Sequence, residues 1–311
     1  CKSGVKQLYW RQNSVYGDKQ VEQGLTGLIG GSGLGDVLAD KIEDAKFCDV
    51  ATPFGKPSDR IMIGRMGKRR VAFINRHGQG HKLSPSEVPY AANIFALKKL
   101  GAHAIIATCA VGSLRGSIRP GELVIVDQFI DKTFRRQSSF FGGYGAVHTE
   151  MAQPTCNRLG DIIAEAARKL AVRTHRKGTY VGMEGPMFST RAESLMHRII
   201  GGDLIGMTAM PEAKLAREAQ MCYSLVALVS DYDCWKPQKK RMDKQELLRE
   251  IIWNLNRASG NCLKLIETIL VNRHEIVCED CDCRRSLDLA VWTDAKSISA
   301  AEKRKLAVLF E

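Results

Sequence analysis

From Gly24 onward, short apolar runs rich in β-branched residues alternate with amphipathic stretches. Short apolar runs bounded by Gly and polar residues are typical of buried strands, and a stripe with a period of about 3.6 residues is typical of a helix. The predicted strands are Leu25 to Ile29, Val71 to Ile74, Ala104 to Thr108, Leu123 to Ile130, Thr179 to Val181, Asp203 to Ile205 and Tyr223 to Val229.

The predicted helices lie between these strands. Ser86 to Leu100 opens with the helix-start residues Ser and Pro, and Thr155 to Leu170 carries one Leu and Ile stripe. Gln245 to Leu270 is either one long helix or a pair broken near Gly260. Strands that alternate with helices predict an α/β fold, a single domain in which a mixed β-sheet is flanked by helices.

The chain is interpreted in three parts. No internal repeat or low-complexity linker interrupts residues 24–272, so we predict a single domain there. Residues 1–23 are charged and lack an apolar core, which favours an N-terminal extension over a secretory signal. Residues 273–311 change character at a group of cysteines and are interpreted as an appended C-terminal tail.

The formal net charge is +12, but the basic residues are spread along the chain. Pairs such as Arg69-Arg70 and Arg135-Arg136 are therefore interpreted as solvated surface, and no nucleic-acid reading motif accompanies them. The positive charge is equally consistent with an electropositive site entrance that attracts a small anion. No run reaches the roughly 18 to 20 apolar residues of a membrane span. We expect neither nucleic acid nor a membrane as a partner.

Ten cysteines without an export signal favour a reducing compartment, and we expect a cytoplasmic location. Three of them, Cys278, Cys281 and Cys283, lie in the tail close to His274. This spacing is tight for a structural zinc site, so the simplest interpretation is a disordered tail with idle thiols. A metal site and a redox or disulfide role remain as alternatives.

Two carboxylates, Asp231 and Asp233, follow the last predicted strand. Residues two apart in a strand share a face, and α/β sheets bind ligands at the carboxyl ends of their strands. Two acids there could bind a metal, act on a sugar, accept hydrogen bonds from a heterocycle, or be solvated turn residues. The flanking sequence offers no further carboxylate or histidine for a metal.

Three other predicted strand ends offer donors to an anion. A glycine turn contains Ser32, the next strand ends at Arg76 and His77, and the segment Thr108 to Ser113 adds hydroxyls and small residues. The glycine turn matches neither the dinucleotide fingerprint nor the P-loop. Three such ends together predict an oxyanion site.

The segment Glu184 to Ser194 combines an acid, an aromatic residue and a helix start. The ring of Phe188 could stack on a planar base, or it could be an ordinary core residue. Thr208 offers a hydroxyl at a further strand end, where Glu212 could be a first-turn helix acid.

In unbroken order from about Gly27 to Leu270, these motifs closely resemble the trimeric purine nucleoside phosphorylase family, in its branch that acts on methylthioadenosine. The resemblance implies phosphorolysis of S-methyl-5'-thioadenosine to adenine and 5-methylthioribose 1-phosphate, a pentosyl transfer in purine and methionine salvage. The matching segments are Gly30 to Leu34, Thr52 to Asp59, Arg76 to Gly78, Gly121 to Asp131, Glu184 to Ser189, Met207 to Glu212 and Asp231 to Trp235.

The resemblance also implies roles for individual residues, with inorganic phosphate as co-substrate and no cofactor or metal. The phosphate would be held by Ser32, Arg76, His77, Ala110 and Thr208. The nucleoside would contact Phe188, Ser189 and Met207, with Leu247 and Leu248 as an apolar wall, and Asp231 and Asp233 would bond the base at N7 and the 6-amino group. In a homotrimer, His148 would complete the neighbouring subunit's site.

Two departures and two alternatives stay open. Cys109 stands where adenine-selective members have Thr, and Lys244 stands where the branch has a small apolar residue, which leaves the 5'-substituent undecided. The nearest alternative is the same chemistry on 6-oxopurine nucleosides or methylthioinosine, whose branch has Asn at the position of Asp231. The other is an inactive nucleoside-binding protein, which should lack clamp residues such as Arg76 or Thr208.

Overall fold

The computed structural model describes residues 24–31, 34–237, 243–271 and 276–311. Within these residues an eleven-stranded mixed sheet is flanked by helices, as predicted. The strands are β1 Leu25–Gly30, β2 Glu43–Cys48, β3 Ile61–Met66, β4 Arg69–Asn75, β5 Ala102–Ser113, β6 Leu123–Val126, β7 Gln128–Asp131, β8 Thr174–His175, β9 Thr179–Gly182, β10 Leu204–Gly206 and β11 Cys222–Asp231. The helices are α1 Gly35–Ala39, α2 Tyr90–Lys99, α3 Asn157–Lys169, α4 Arg191–Ile199, α5 Glu212–Glu218, α6 Lys244–Val271 and α7 Ala300–Leu306.

The centre of the sheet is parallel and buried. Strand β1 pairs in parallel with β4 and β5, and β5 pairs in parallel with β11. In β11, Tyr223, Leu225 and Ala227 face one core cluster, whereas Val226 and Leu228 face the other. Because successive side chains of a strand point to opposite faces, this alternation is what a strand with helices on both sides requires.

Helices cover both faces of the sheet. Helices α2 and α5 and the end of the tail pack on one face, and α1, α3 and α6 pack on the other. The segment predicted as one long helix or a broken pair is continuous from Lys244 to Val271, so Gly260 does not interrupt it. A Cβ at Gly260 would meet nothing within 4 Å, so this glycine is not required by packing.

Three strands were not predicted, and one predicted strand is divided. Strand β2 (Glu-Asp-Ala-Lys-Phe-Cys) is almost wholly exposed at the sheet edge, β3 pairs antiparallel beside it, and β8 has two residues. The predicted strand Leu123 to Ile130 is two strands with different neighbours: β6 pairs with β11 and β8, whereas β7 pairs with β9. An apolar run shows extended conformation but not its pairing partner.

Residues 276–311 of the tail are ordered on the domain, so the expectation of a disordered tail is wrong for them. They form α7 and two short 3₁₀ helices, Asp282–Arg285 and Ala307–Phe310. Leu306 and Leu309 lie in the core cluster on the α2 face, 2% and 0% exposed. The tail is thus part of the folded core, whatever the boundary of the catalytic domain.

Two basic pairs differ in part from the prediction of solvated surface, because Arg70 and Arg135 are exposed but one arginine of each pair is not. Arg69 is 8% exposed and the side chain of Arg136 is 1% exposed. Among the residues that the structure describes, no helix combines the length and apolar character needed to cross a bilayer.

Candidate active site

The carboxyl ends of the central strands meet at one edge of the sheet. Gly30 at the end of β1 is in register with Asn75 at the end of β4, and Val229 of β11 is opposite Val111 of β5. The turns that follow β1 and β4, the end of β5 and the acids at the end of β11 therefore share this edge. This is the position predicted for a ligand site in an α/β sheet.

The first turn packs tightly on its neighbours. A Cβ at Gly31 would lie 2.7 Å from the carbonyl oxygen of Thr108 and 2.8 Å from Nη1 of Arg76. Only glycine allows the backbone this approach. Ser32, predicted to hold phosphate, lies outside the described residues.

Arg76 is fully buried and is paired with an acid that sequence reasoning did not place in the site. Its Nε and Nη2 donate to the two carboxylate oxygens of Glu212 at 2.8 and 2.9 Å, and Nη1 donates to the carbonyl of Thr108 at 2.7 Å. Tyr223 Oη also donates to Glu212, at 2.8 Å. Because a guanidinium has about five N–H donors, two remain beyond these three bonds.

The Arg76–Glu212 pair is a buried ion pair with side chains 0% and 1% exposed. The carboxylate raises the pKa of Arg76 against the opposing effect of burial, so the guanidinium stays charged. The local sequence contains one hint, an acid in the first turn of a helix, but no local signal pairs residues that are 136 positions apart.

His77 is 4% exposed, and its Nδ1 lies 2.8 Å from the carbonyl oxygen of Leu83. A carbonyl accepts only, so Nδ1 carries the proton in this contact. Burial lowers the pKa of His77 to about 4, with Arg76 and His81 acting in the same direction. At neutral pH the ring is therefore neutral, and its Nε2 is an acceptor. An anion that bound there would have to raise this pKa.

The remaining residues predicted to hold phosphate lie on β5 and after β10. Ala110 is half-buried in β5, next to Cys109, whose pKa is raised to about 12 by burial, so its thiol stays protonated. Thr208 is 6% exposed, and its backbone N–H donates to Tyr180 Oη at 3.1 Å. A protonated thiol is a weaker donor than the threonine hydroxyl that the resemblance leads us to expect at this position.

Asp231 and Asp233 lie together at the end of β11. Asp231 Oδ1 accepts from the backbone N–H of Asp233 at 2.7 Å, and Oδ2 lies 2.6 Å from Ser230 Oγ. Burial raises the pKa of Asp231, and Asp233 adds to the rise. Oδ2 of Asp233 is buried without a hydrogen-bond partner among the described residues. A buried carboxylate oxygen without a donor is costly, so this atom is suited to a ligand N–H.

Close packing holds the two acids in place. A Cβ at Gly112 would lie 3.1 Å from Oδ1 of Asp231 and 3.2 Å from Cβ of Asp233. Trp235 closes the turn by donating from Nε1 to the carbonyl of Ser113 at 2.8 Å. The geometry of this turn therefore depends on a residue without a side chain in β5.

The residues predicted to contact base and ribose surround a loop after β9. Phe188 is 85% exposed, which contradicts the alternative of a core residue and leaves its ring available. Ser189 is half-buried, and its carbonyl accepts from the thiol of Cys234, one residue after Asp233. Met207 is half-buried, and a Cβ at Gly185 would lie 2.6 Å from its sulfur.

A buried arginine fixes this loop and was missed by sequence reasoning. Arg136 donates to the carbonyl oxygens of Met207, Met210 and Glu184. The carboxylate of Glu184 in turn accepts from the backbone N–H of Phe134 at 2.7 Å. Nothing in the local sequence separates Arg136 from an exposed neighbour.

The structure does not gather every predicted residue at this edge. His148 is exposed in a loop that lines a different cavity, of about 620 Å³, together with Cys156 and Cys281. Leu247 is half-buried and Leu248 is 57% exposed, both in the first turns of α6. Their roles remain predictions.

A buried arginine and an acid pair at the carboxyl edge of a mixed sheet agree with the family that the sequence motifs resemble. Residues 26–271 match the family described as the phosphorylase superfamily, and the chain belongs to that family.

Individual relatives are more specific. The chain is 47% identical over 269 residues to the S-methyl-5'-thioadenosine phosphorylase of Cereibacter sphaeroides, covering 86% of this chain and 91% of that protein. It is similar in structure to a methylthioadenosine phosphorylase from an antarctic soil metagenomic library, with a TM-score of 0.83 and 40% identity over 93% of this chain and 100% of that one. It is also similar to a mutant adenosine/methylthioadenosine phosphorylase from Schistosoma mansoni in complex with methylthioadenosine, with a TM-score of 0.72 and 36% identity over 79% and 90% of the two chains.

Proposed function

We propose that this chain catalyses the phosphorolysis of S-methyl-5'-thioadenosine, giving adenine and 5-methylthioribose 1-phosphate. The observation that carries the proposal is the acid pair at the end of β11, where Asp233 presents a buried oxygen that needs a donor. The 6-amino group of adenine is such a donor, whereas the 6-oxo group of hypoxanthine is an acceptor. The relatives named above support the same substrate.

Asp231 is the group that neutralises the departing base. Its raised pKa favours the protonated form that donates toward N7. Ser230 Oγ lies 2.6 Å from Asp231 Oδ2 and 3.1 Å from the carbonyl oxygen of Val111. When Asp231 is protonated in the absence of the base, the serine hydroxyl can turn to Val111 and accept from the carboxyl, and when the base is bound the same proton is directed to N7 instead. One hydroxyl rotation thus accommodates both protonation states.

Inorganic phosphate is the proposed nucleophile, held below the ribose by the glycine turn, Arg76, His77, Ala110 and Thr208. The close approach of Gly31 to Arg76 and the two remaining guanidinium donors support this placement. Bound phosphate stabilises the electron-poor sugar and then attacks its anomeric carbon. These residues supply the catalysis without a cofactor or a catalytic metal.

The proposed active form is a homotrimer in the cytoplasm, with small molecules rather than nucleic acid as ligands. Large apolar side chains that a monomer leaves exposed support an interface: Phe134, Met187, Phe188 and Ile199 are 79%, 73%, 85% and 85% exposed. His148, away from the acid pair in its own chain, is proposed to serve a neighbouring site. Mixed trimers of His148→Ala and Asp233→Ala chains should regain activity, and no rescue in verified hybrids contradicts the shared site.

A substrate panel with Asp231→Asn tests the function. Methylthioadenosine, adenosine, methylthioinosine and inosine are each assayed with and without phosphate. The wild type should cleave methylthioadenosine only with phosphate. The Asp231 carboxyl can also accept from the 6-amino group beside Asp233, whereas an amide at this position keeps a permanent NH₂ donor that suits an O6 acceptor, and a mismatched buried polar group costs about 1–3 kcal/mol.

The kcat/KM ratio of methylthioadenosine to methylthioinosine should therefore fall about tenfold or more in Asp231→Asn. Asp161→Asn, at an exposed position, is the matched control. An unchanged ratio in Asp231→Asn would show that Asp231 does not read the base. A wild type that prefers the 6-oxopurines would favour the alternative substrate class.

A further inference from the structure

Four cysteines from distant parts of the chain meet beneath the tail, away from the acid pair. Their sulfur atoms, on Cys156, Cys222, Cys281 and Cys283, all lie within 4.8 Å of one another. Cys156 precedes α3, Cys222 begins β11, and the other two belong to the tail. All four are free thiols.

The spacing matches a metal tetrahedron. Zinc binds thiolate sulfur at about 2.3 Å, so the edge of a tetrahedral site with four sulfurs is about 3.8 Å. The sulfurs of Cys156 and Cys281 are 3.7 Å apart. Cys156 also contacts the thiols of Cys222 and Cys283, so one sulfur touches all three others. Two disulfides would instead bring the sulfurs together in separate pairs of about 2.05 Å.

The surroundings suit a cluster of thiolates. The backbone N–H of Leu159 donates to the sulfur of Cys156 at 3.5 Å, at the N-terminus of the thirteen-residue helix α3. The guanidinium of Arg158 hydrogen-bonds Cys222, and its Nη2 donates to the carbonyl of Ile276 at 2.7 Å. Four thiolates around a divalent cation carry two net negative charges, and these donors offset them.

Burial and access are also those of a structural site. Cys156, Cys222 and Cys283 are 3%, 0% and 6% exposed, while Cys281 is half-buried. Three of the four line the cavity of about 620 Å³ that opens to the surface, which gives a path of entry. Four protein ligands leave no open position for a substrate.

We propose that Cys156, Cys222, Cys281 and Cys283 bind one structural Zn²⁺, which fastens the tail to the sheet. Binding displaces the thiol protons and forms four zinc–sulfur bonds, without any redox step. The site is independent of the acid pair and of the substrate. It explains why a tail whose own cysteine spacing is too tight for a zinc site carries two of these residues: the other two ligands come from the domain.

The test is the zinc content of the full chain, purified with a thiol reductant and dialysed to remove loosely bound metal. We expect about one zinc per chain for the wild type by elemental analysis. Cys281→Ser and Cys283→Ser should lose it. Cys278→Ser, in the same tail but outside the cluster, should keep it and is the matched control.

Two measurements on the wild type hold even if a variant fails to fold. Replacing zinc by Co²⁺ should give the visible absorption of tetrahedral cobalt thiolate, and a strong chelator should lower the Tm until Zn²⁺ is restored. A wild type that retains no zinc, or zinc retained equally by Cys281→Ser and wild type, overturns the proposal.

Discussion

Glu212→Gln should destabilise the protein strongly, although it removes one charge and almost no volume. Glu212 accepts three hydrogen bonds, two of them from the buried guanidinium of Arg76 and one from Tyr223. A glutamine can place its oxygen where Oε1 of Glu212 accepts from Nη2 of Arg76 and from Tyr223. Its NH₂ group then faces Nε of Arg76. A donor meets a donor, and a buried cation loses its counter-charge.

The magnitude follows from the burial of the pair, 0% and 1% exposed. Removing one partner of such a pair costs about 3–5 kcal/mol, because an uncompensated charge remains in the interior. Total stabilities are about 5–15 kcal/mol, so the loss is a large part of the total. Arg76→Met with Glu212→Gln should recover part of it, since a neutral unpaired group costs about 1–3 kcal/mol.

The assay is urea unfolding at fixed chain concentration, because subunit association contributes to the measured stability. Glu218→Gln is the matched control on the same helix. Burial raises the pKa of Glu218 from 4.5 to about 7, so at about pH 6 the folded protein holds it neutral while the unfolded chain ionises it, and the amide should remove that cost and not destabilise the protein. The reasoning is wrong if Glu212→Gln and Glu218→Gln are equally stable, or if the double variant is less stable than Glu212→Gln.

Three further outcomes are expected. Gly112→Ala should lower kcat/KM for the nucleoside in steady-state kinetics, because the new Cβ would lie 3.0 Å from Ile205. Gly116→Ala is the control and should match the wild type, because its Cβ would meet nothing within 4 Å. Leu309→Ala, at 0% exposure in the tail, should cost about 2–5 kcal/mol in thermal or urea unfolding, whereas Leu289→Ala, at 87%, should cost almost nothing. The pKa of His77 falls from 6.5 to about 4 on folding, so the stability that neutral His77 contributes is complete above pH 6.5 and is lost as the pH falls toward 4. The difference in unfolding free energy between wild type and His77→Gln should shrink over that pH range, and a constant difference contradicts the shift.

The buried parallel strands could be predicted because strands covered on both faces are continuous apolar runs, and here glycine or polar residues mark where they end. Strand β2 could not, since its exposed edge position imposes no apolar pattern on it. The acid pair was visible because both members lie within three residues of one strand end.

Partners distant in sequence leave no such signal. Glu212 looked like a helix-start acid until the fold placed it on Arg76. Cys156 and Cys222 looked like scattered thiols, and the fold brings them to the tail. Local sequence predicts which groups lie at a strand end, but not which far segment neutralises or ligates them.

Strand β5 links the two ends of the proposed active site. Thr108 contacts the glycine turn at the proposed phosphate end, and Gly112 packs against the acid pair at the proposed base end, four residues or about 13 Å further along one strand. The separation of the proposed phosphate end and the proposed base end is therefore fixed by one rigid strand. The 5' end of the substrate has no counterpart on β5. The preference for the 5'-substituent can therefore change, in evolution or by design, without moving the proposed phosphate-binding and base-binding ends of the site.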